Sequence, residues 1–330
     1  MTSRIKHIPV VDFAALGSET GSQSALSAAC ESWGFFQLVN HGIDPAERER
    51  FLDALQQFFA LSPYAKNGVQ RTRENAWGYY DNELTKNRRD WKEIFDVGHA
   101  QTDNAHQPQW PPLPGFQELM LDWFNRCESI SRRLLTHICT ALGVPAASLD
   151  GFFEPSNSSF LRLNHYPICP DPADPAIDNR TVEDERREPL QGHLGIHPHT
   201  DSGALTVLVQ DRVAGLQVQY AGGWSTVVPE DNALIINIGD LMQVWSNDRF
   251  RAPVHRVLAN AHRARFSAPF FFNPAFTANC IPLTQDEAPQ YRRLNWGEFR
   301  QSRAAGDYAD LGHEIQVSDF LISKPADHQR

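Results

Sequence analysis

From about Ser158 onward the chain is a series of short β-rich runs, FLRLNHYP, ALTVLVQ, GLQVQY, WSTVVP, ALIINIGD, HRVLAN and RFSAPFFFNP, separated by Gly, Pro, Asn and Asp. No other feature constrains the fold as strongly. Many short strands in series predict a barrel or jelly roll.

The first 150 residues have a different period. SALSAACESWGFF and PAERERFLDALQQFFAL place apolar residues three and four apart, which predicts two helices, with FFQLVNHGI between them as a short buried strand. Asp44 and Pro45 suit the N-cap and first position of the second helix. An amphipathic stretch from Gln117 to Leu142, closed by Gly143, predicts a long scaffold helix. The expected organisation is one compact unit: a mainly helical region, 1–150, packed on a β core with a C-terminal tail, 151–330. Residues 171–192, DPADPAIDNRTVEDERREPLQG, are rich in Pro and charge and are expected to form an exposed insertion loop.

Composition narrows the function by exclusion. With 330 residues, 41% of them hydrophobic and 21% charged, this is an ordinary folded chain able to bury a sizeable core. A net charge of -10 lacks the basic excess that a nucleic-acid surface needs. No apolar run approaches the roughly 18 residues of a membrane span, and MTSRIKHIPVVDF has no signal-peptide core. A cytoplasmic monomer with no nucleic-acid or membrane partner is expected. The five cysteines are scattered without a C-x-x-C pair, which suggests reduced thiols.

The stretch GIHPHTDSGALTVLVQ, residues 195–210, packs His197, His199 and Asp201 into five positions. On a strand, residues two apart share a face at roughly 6.5 to 7 Å, so two such side chains can converge on one ion. All three would have to span roughly 13 Å, too far for metal bonds of about 2.0 to 2.2 Å. Pro198 fits the start or edge of a strand, and the alternating run follows Asp201, so His199 and Asp201 are the expected pair. His197 then lies behind the ligands or at the pocket mouth. A third candidate is His255 in APVHRV, just after the turn signal in SNDRF. Two imidazoles and one carboxylate on one face of an octahedral ion leave three open positions, an arrangement suited to Fe(II) handling oxygen and substrate together. Ten residues on, Arg265 and Ser267 share a strand face and could grip a carboxylate.

With these residues the sequence resembles the Fe(II)- and 2-oxoglutarate-dependent dioxygenases of the isopenicillin N synthase-like and plant-hormone or flavonoid oxygenase type. The similarity runs through IPVVDF, ESWGFFQLVNHGI, LRLNHYPICP, HTDSGALTVLVQD, NIGDLMQVWSNDRF, HRVLAN and RFSAPFFFNP. It implies a mainly β fold with α, a double-stranded β-helix (jelly-roll) core wrapped by N-terminal and long scaffold helices. His199, Asp201 and His255 would be the catalytic iron ligands. Arg265 and Ser267 would bind the far carboxylate of 2-oxoglutarate, assisted by Tyr166 and Asn164. Fe(II), 2-oxoglutarate and O2 would be the cofactor and co-substrates, with ascorbate as a reductant.

The implied reaction hydroxylates or desaturates a small molecule while 2-oxoglutarate becomes succinate and CO2. The aromatic content near the pocket points to an apolar or planar substrate. Trp77, Tyr79 and Phe95, in WGYYDNELTKNRRDWKEIFDVG, together with Phe271, match pocket positions of the resembling enzymes. Core packing explains each of these side chains equally well from the residues alone. The family pattern is broken twice, by the charged insertion and by His197 and Pro198, where small residues usually stand. Three other readings remain open: an iron oxidase that does not use 2-oxoglutarate, a zinc hydrolase on the same ligands, and a non-catalytic jelly-roll binding protein. Succinate formation and metal analysis separate them.

Overall fold

Alternation along the strands decides the architecture. The computed structural model describes residues 7–17, 22–72, 74–98, 107–174, 191–283, 287–306 and 314–322. Its first part contains β1 (Val10–Asp12), α1 (Ser22–Ser32), β2 (Phe35–Val39), α2 (Pro45–Phe59), α3 (Pro63–Asn67), β3 (Gly78–Tyr80), β4 (Leu84–Thr85), β5 (Arg88–Arg89), β6 (Glu93–Gly98) and α4 (Phe116–Leu142). Then follow β7 (Phe160–Tyr166), β8 (Leu194–His199), β9 (Leu205–Gln210), β10 (Leu216–Tyr220), β11 (Gly223–Thr226) and β12 (Leu234–Ile238). The chain continues through α5 (Asp240–Trp245), β13 (His255–Leu258), β14 (Arg265–Phe272), β15 (Asn279–Cys280), β16 (Leu294–Asn295) and α6 (Trp296–Gly306).

An eight-stranded sheet runs in the order β1-β2-β12-β9-β14-β7-β6-β3, and a four-stranded sheet runs β11-β10-β13-β8. Apolar side chains of both meet between them: Tyr166, Leu208 and Ile235 from the large sheet, Leu216, Val218 and Val257 from the small one. This is the jelly-roll core. Four strands of the large sheet, β1, β2, β3 and β6, come from the first 150 residues, so that region builds sheet as well as helices.

Each strand of the large sheet has a helix face and an inner face. On β14, Ala268, Phe270 and Phe272 join the cluster under the helices, where Phe270 meets Phe124 of α4 edge-on at 4.8 Å. The alternate residues Arg265, Ser267, Pro269 and Phe271 line the cavity between the sheets. β7 repeats the division, with Leu161 and Leu163 under the helices and Phe160, Arg162, Asn164 and Tyr166 at the cavity. The helix-side cluster, which includes Trp123, Phe51, Phe58 and Phe95, carries the packing that the cavity side lacks. Each such side chain contributes about 1.5 to 3 kcal/mol on full burial.

The helix boundaries follow their local signals. Asp44 accepts from the backbone of Ala46 at 2.7 Å ahead of Pro45. Gly143 ends α4 with φ of 79°, a left-handed turn that a side chain would strain. In SNDRF, Asn247 and Asp248 both take positive φ, 53° and 69°.

The strand reading of H-x-D needs correction. His199 and Asp201 do not share one strand: β8 ends at His199, Asp201 lies in the turn, and the expected strand after it begins at Leu205 as β9. The reason is topological, because β8 belongs to the small sheet and β9 to the large one, so residues 200–204 must cross between layers. Pro198 sits near the end of an edge strand, where its missing N–H costs no ladder bond. Of the charged insertion, residues 175–190 lie outside the described residues, as do 307–313 near the C-terminus.

Candidate active site

The crossing turn brings Asp201 to the open end of the two sheets. One ligand atom from each of His199, Asp201 and His255 lies within 4.8 Å of the others. His199 and His255 face each other across the β8–β13 ladder, where they are directly paired, with ring centroids 4.3 Å apart. Asp201 Oδ1 is 3.7 Å from Nε2 of His199 and 3.6 Å from Nε2 of His255.

The remaining atoms of all three side chains are occupied. His199 Nδ1 is 2.8 Å from the carbonyl of His197, and His255 Nδ1 is 3.1 Å from that of Pro253. A carbonyl only accepts, so each Nδ1 donates, and both Nε2 atoms are turned toward Asp201. Asp201 Oδ2 accepts from Thr206 Oγ1 at 2.5 Å and from Asn237 Nδ2 at 2.8 Å, which leaves Oδ1 turned to the imidazoles. Burial, and next the neighbouring His255, push the His199 pKa down, so the ring stays neutral. Burial works against ionising Asp201, but the two imidazoles and the Thr206 and Asn237 hydrogen bonds outweigh it and lower its pKa. Two imidazoles that present Nε2 and one carboxylate that presents Oδ1 fit a divalent iron with open positions.

The turn itself is held from three sides. Arg303 of α6 donates to the carbonyl of Thr200 at 3.1 Å, and the Asp240 N–H donates to that of Asp201 at 2.8 Å. Gly239 lies so close that an added Cβ would sit 2.2 Å from the Gly203 carbonyl.

At the other end of the cavity Arg265 is 2% exposed. Its guanidinium donates to Gln210 Oε1 at 2.8 Å, the Val213 carbonyl at 3.2 Å and Ser267 Oγ at 3.3 Å. All three acceptors are neutral. Among the described residues no carboxylate forms a salt bridge with this buried cation; Asp211, near enough to feel its charge, accepts instead from the Val213 and Phe266 N–H groups, an arrangement that favours an incoming anion. The β14–β7 register sets Tyr166 opposite Arg265 and Asn164 opposite Ser267, and the guanidinium carbon lies 5.0 Å from the Tyr166 ring centroid. Gly195 makes room for that ring, since a Cβ there would stand 2.8 Å from it.

Both ends line one cavity. Phe271 is part of it and stacks on Phe160 at 4.7 Å. Trp77, Tyr79 and Phe95 are not among its lining residues. Register explains two of them: Phe95 stands opposite Leu163, and Tyr79 opposite Phe95, so both point to the helix side. Trp77 packs over Gly98, near Phe160 at 6.1 Å. His197 is buried and points away from the ligands to Asp90, with Nδ1 2.9 Å from Oδ1.

Sequence reasoning missed a polar wall formed by Glu83, Lys92, Arg162, Arg300, Arg303 and Glu314. Two signals were available: Arg162 precedes Asn164 and Tyr166 at strand spacing, and Arg300 and Arg303 are three apart on one helix.

A jelly roll with this triad facing a buried arginine defines a class, the iron- and 2-oxo acid-dependent oxygenases. Known proteins agree. Residues 157–274 match the 2OG-Fe(II) oxygenase superfamily, and residues 8–113 match the non-haem dioxygenase in morphine synthesis N-terminal family. Gibberellin 2-beta-dioxygenase 8 of Arabidopsis thaliana is 31% identical over 323 residues, covering 95% of this chain and 87% of that protein. Among solved structures, JOX2 in complex with 2OG, Fe and JA superposes with a TM-score of 0.79 at 26% identity, covering 96% of this chain and 90% of the other. Neurospora crassa T7H in complex with alpha-KG gives 0.78 at 27% identity, over 93% and 98%. The chain belongs to the 2OG-Fe(II) oxygenase superfamily. It is a non-haem dioxygenase dependent on Fe(II) and 2-oxoglutarate, acting on a small molecule.

Proposed function

We propose that His199, Asp201 and His255 hold the Fe(II), and that Arg265 and Ser267 receive the far carboxylate of 2-oxoglutarate, with Tyr166 and Asn164 flanking it. The observation that carries this assignment is the buried Arg265, whose hydrogen-bond acceptors are all neutral, sharing one cavity with the triad. A dicarboxylate whose 2-oxo acid end meets the metal would bring its other charge to the guanidinium. When bound, the iron supplies the oxygen chemistry that couples decarboxylation of 2-oxoglutarate to hydroxylation or desaturation of the substrate. The chain's own work is to orient both molecules and to keep bulk water from the reacting atoms.

For the substrate, the cavity supports a planar or apolar body with polar substituents. Phe160 and Phe271 offer a stacked aromatic face, while Glu83, Lys92, Arg162 and Arg300 form the polar wall. An all-apolar molecule would strip that wall of water without repaying it. A cytoplasmic location suits the five buried, unpaired thiols.

The test is substrate-dependent succinate release from a panel of planar aromatic and terpenoid acids, with Arg265→Ala as control. Succinate matching oxidised product, and a raised 2-oxoglutarate requirement in the variant, are expected. Oxidised product without succinate would refute the assignment.

A further inference from the structure

His199 sits at the end of an edge strand, a weak place from which to aim a metal ligand. Among the described residues β8 pairs only with β13, and that ladder is irregular. His255 pairs with His199, but Val257 pairs with Ile196, so three steps on β8 oppose two on β13. The extra residue is a β-bulge at His197–Pro198, and it turns His197 out of the ligand face. The outer N–H of His197 then has no strand to receive it, and it is buried.

A side chain takes the place of the missing strand. Asp90, in the link between β5 and β6, accepts at Oδ1 from the His197 backbone N–H at 3.0 Å and from His197 Nδ1 at 2.9 Å. Its Oδ2 accepts from Thr85 Oγ1 at 2.7 Å and from Lys92 Nζ at 2.9 Å. Four donors on one buried carboxylate hold it in a single orientation. Burial opposes its charge, yet Lys92 and His197 keep its pKa below the usual value. The neighbouring Trp91 N–H also bonds the Leu194 carbonyl at 2.9 Å, so the link grips the outer edge of β8 at two points.

The hold reaches the metal ligand in one further step. A residue before proline is confined to extended backbone, so Pro198 limits the conformations of His197. With its N–H and its ring both fixed by Asp90, the direction of the His197 carbonyl is fixed too. That carbonyl is the acceptor for His199 Nδ1 at 2.8 Å.

We propose that Asp90, acting through His197, is a positioning residue for the iron ligand His199. The proposal rests on His199 being a ligand, as assigned above. It gives His197 and Pro198 a joint purpose. Neither is a ligand; together they bring a distant carboxylate to bear on one. Partners of this kind affect metal affinity by about 10- to 100-fold.

The test is anaerobic titration of the metal-free protein with Co(II), without 2-oxoglutarate, recording affinity, the visible spectrum of the bound ion and the thermal midpoint. Asp90→Ala is expected to weaken Co(II) binding by about 10- to 100-fold and to alter the spectrum. Asp90→Asn, which retains one acceptor oxygen, is expected to lose less. His197→Ala removes only the ring contact and is expected to cost about 10-fold, the lower end of that range; it decides the matter if Asp90→Ala fails to fold. Wild-type Co(II) affinity and spectrum in a folded variant, whatever its thermal midpoint, would overturn the proposal. His199→Ala serves as the separate control: if it binds Co(II) like the wild type, the ligand assignment itself fails.

Discussion

Strands β14 and β8 both carry site residues, yet they are held by different means. β14 is an interior strand, paired with β9 on one side and β7 on the other. Arg265 and Ser267 therefore take their positions from the backbone ladders, and their partners Gln210, Asn164 and Tyr166 stand on those same neighbours. β8 is an edge strand with a bulge and a proline, so side chains must do for His199 what a second ladder does for Arg265. The proposed co-substrate end is built by the sheet, and the proposed iron end by braces attached to it. Those braces come from afar: Asp90 lies 107 residues before His197, and Arg303 lies 103 residues after Thr200.

The contrast can be broken most severely at the iron end. Asp201→Ala removes the one carboxylate of the proposed ligand set, and turnover and metal binding are expected to be lost while the far-ultraviolet circular dichroism stays that of the wild type. A parallel loss of secondary structure would show that the turn is structural first. At the co-substrate end, Arg265→Leu removes charge-assisted hydrogen bonds worth about 1.5 to 3 kcal/mol. The KM for 2-oxoglutarate should rise roughly 10- to 150-fold. Steady-state succinate assays check this, with Co(II) affinity in the absence of 2-oxoglutarate expected to be unchanged.

A smaller effect is expected between the two ends. Gly195→Ala would set a Cβ 2.8 Å from the Tyr166 ring, which must shift or rotate away from Arg265. Overpacking of this kind costs about 1 to 3 kcal/mol, to be read as a lower thermal midpoint with a raised KM for 2-oxoglutarate. An unchanged KM would mean that Tyr166 does not serve that end.

The smallest effect lies outside both ends, at Glu93 of β6. Burial opposes its charge, but His165 at 3.6 Å and Lys66 at 2.5 Å hold its pKa down at about 2. A folded value below the ordinary carboxylate value of about 4.3 stabilises the protein above that pH, and the stabilisation is lost as the pH falls through about 2. Urea midpoints of Glu93→Gln should therefore depend less on pH across that window than those of the wild type, with both binding affinities unchanged at neutral pH.

How much of this was legible in the sequence follows the same divide. Alternation located Arg265 and Ser267, and the same count extended by two and four residues reaches Pro269 and Phe271. The jelly roll was legible because its strands are short and punctuated. His199, Asp201 and His255 were legible as a set, but not the reason they converge, since the crossing at residues 200–204 depends on which sheet each strand joins. Tyr79 and Phe95 could not be placed without the β6–β7 register, because a strand's two faces are interchangeable until its partner is known. Asp90 carried no local signal. Its meaning lies in a partner 107 residues away, on an edge that only the assembled sheet reveals.

The separation of the two ends is tested most directly by measuring Co(II) affinity without 2-oxoglutarate, and the 2-oxoglutarate dependence of succinate release at saturating Fe(II), on the same preparations of Asp90→Asn and Arg265→Leu. The expected result is a crossing: Asp90→Asn weakens the metal and leaves the 2-oxoglutarate KM near the wild-type value, whereas Arg265→Leu does the reverse. If both variants shift both quantities by the same factor, the two ends are not separately held.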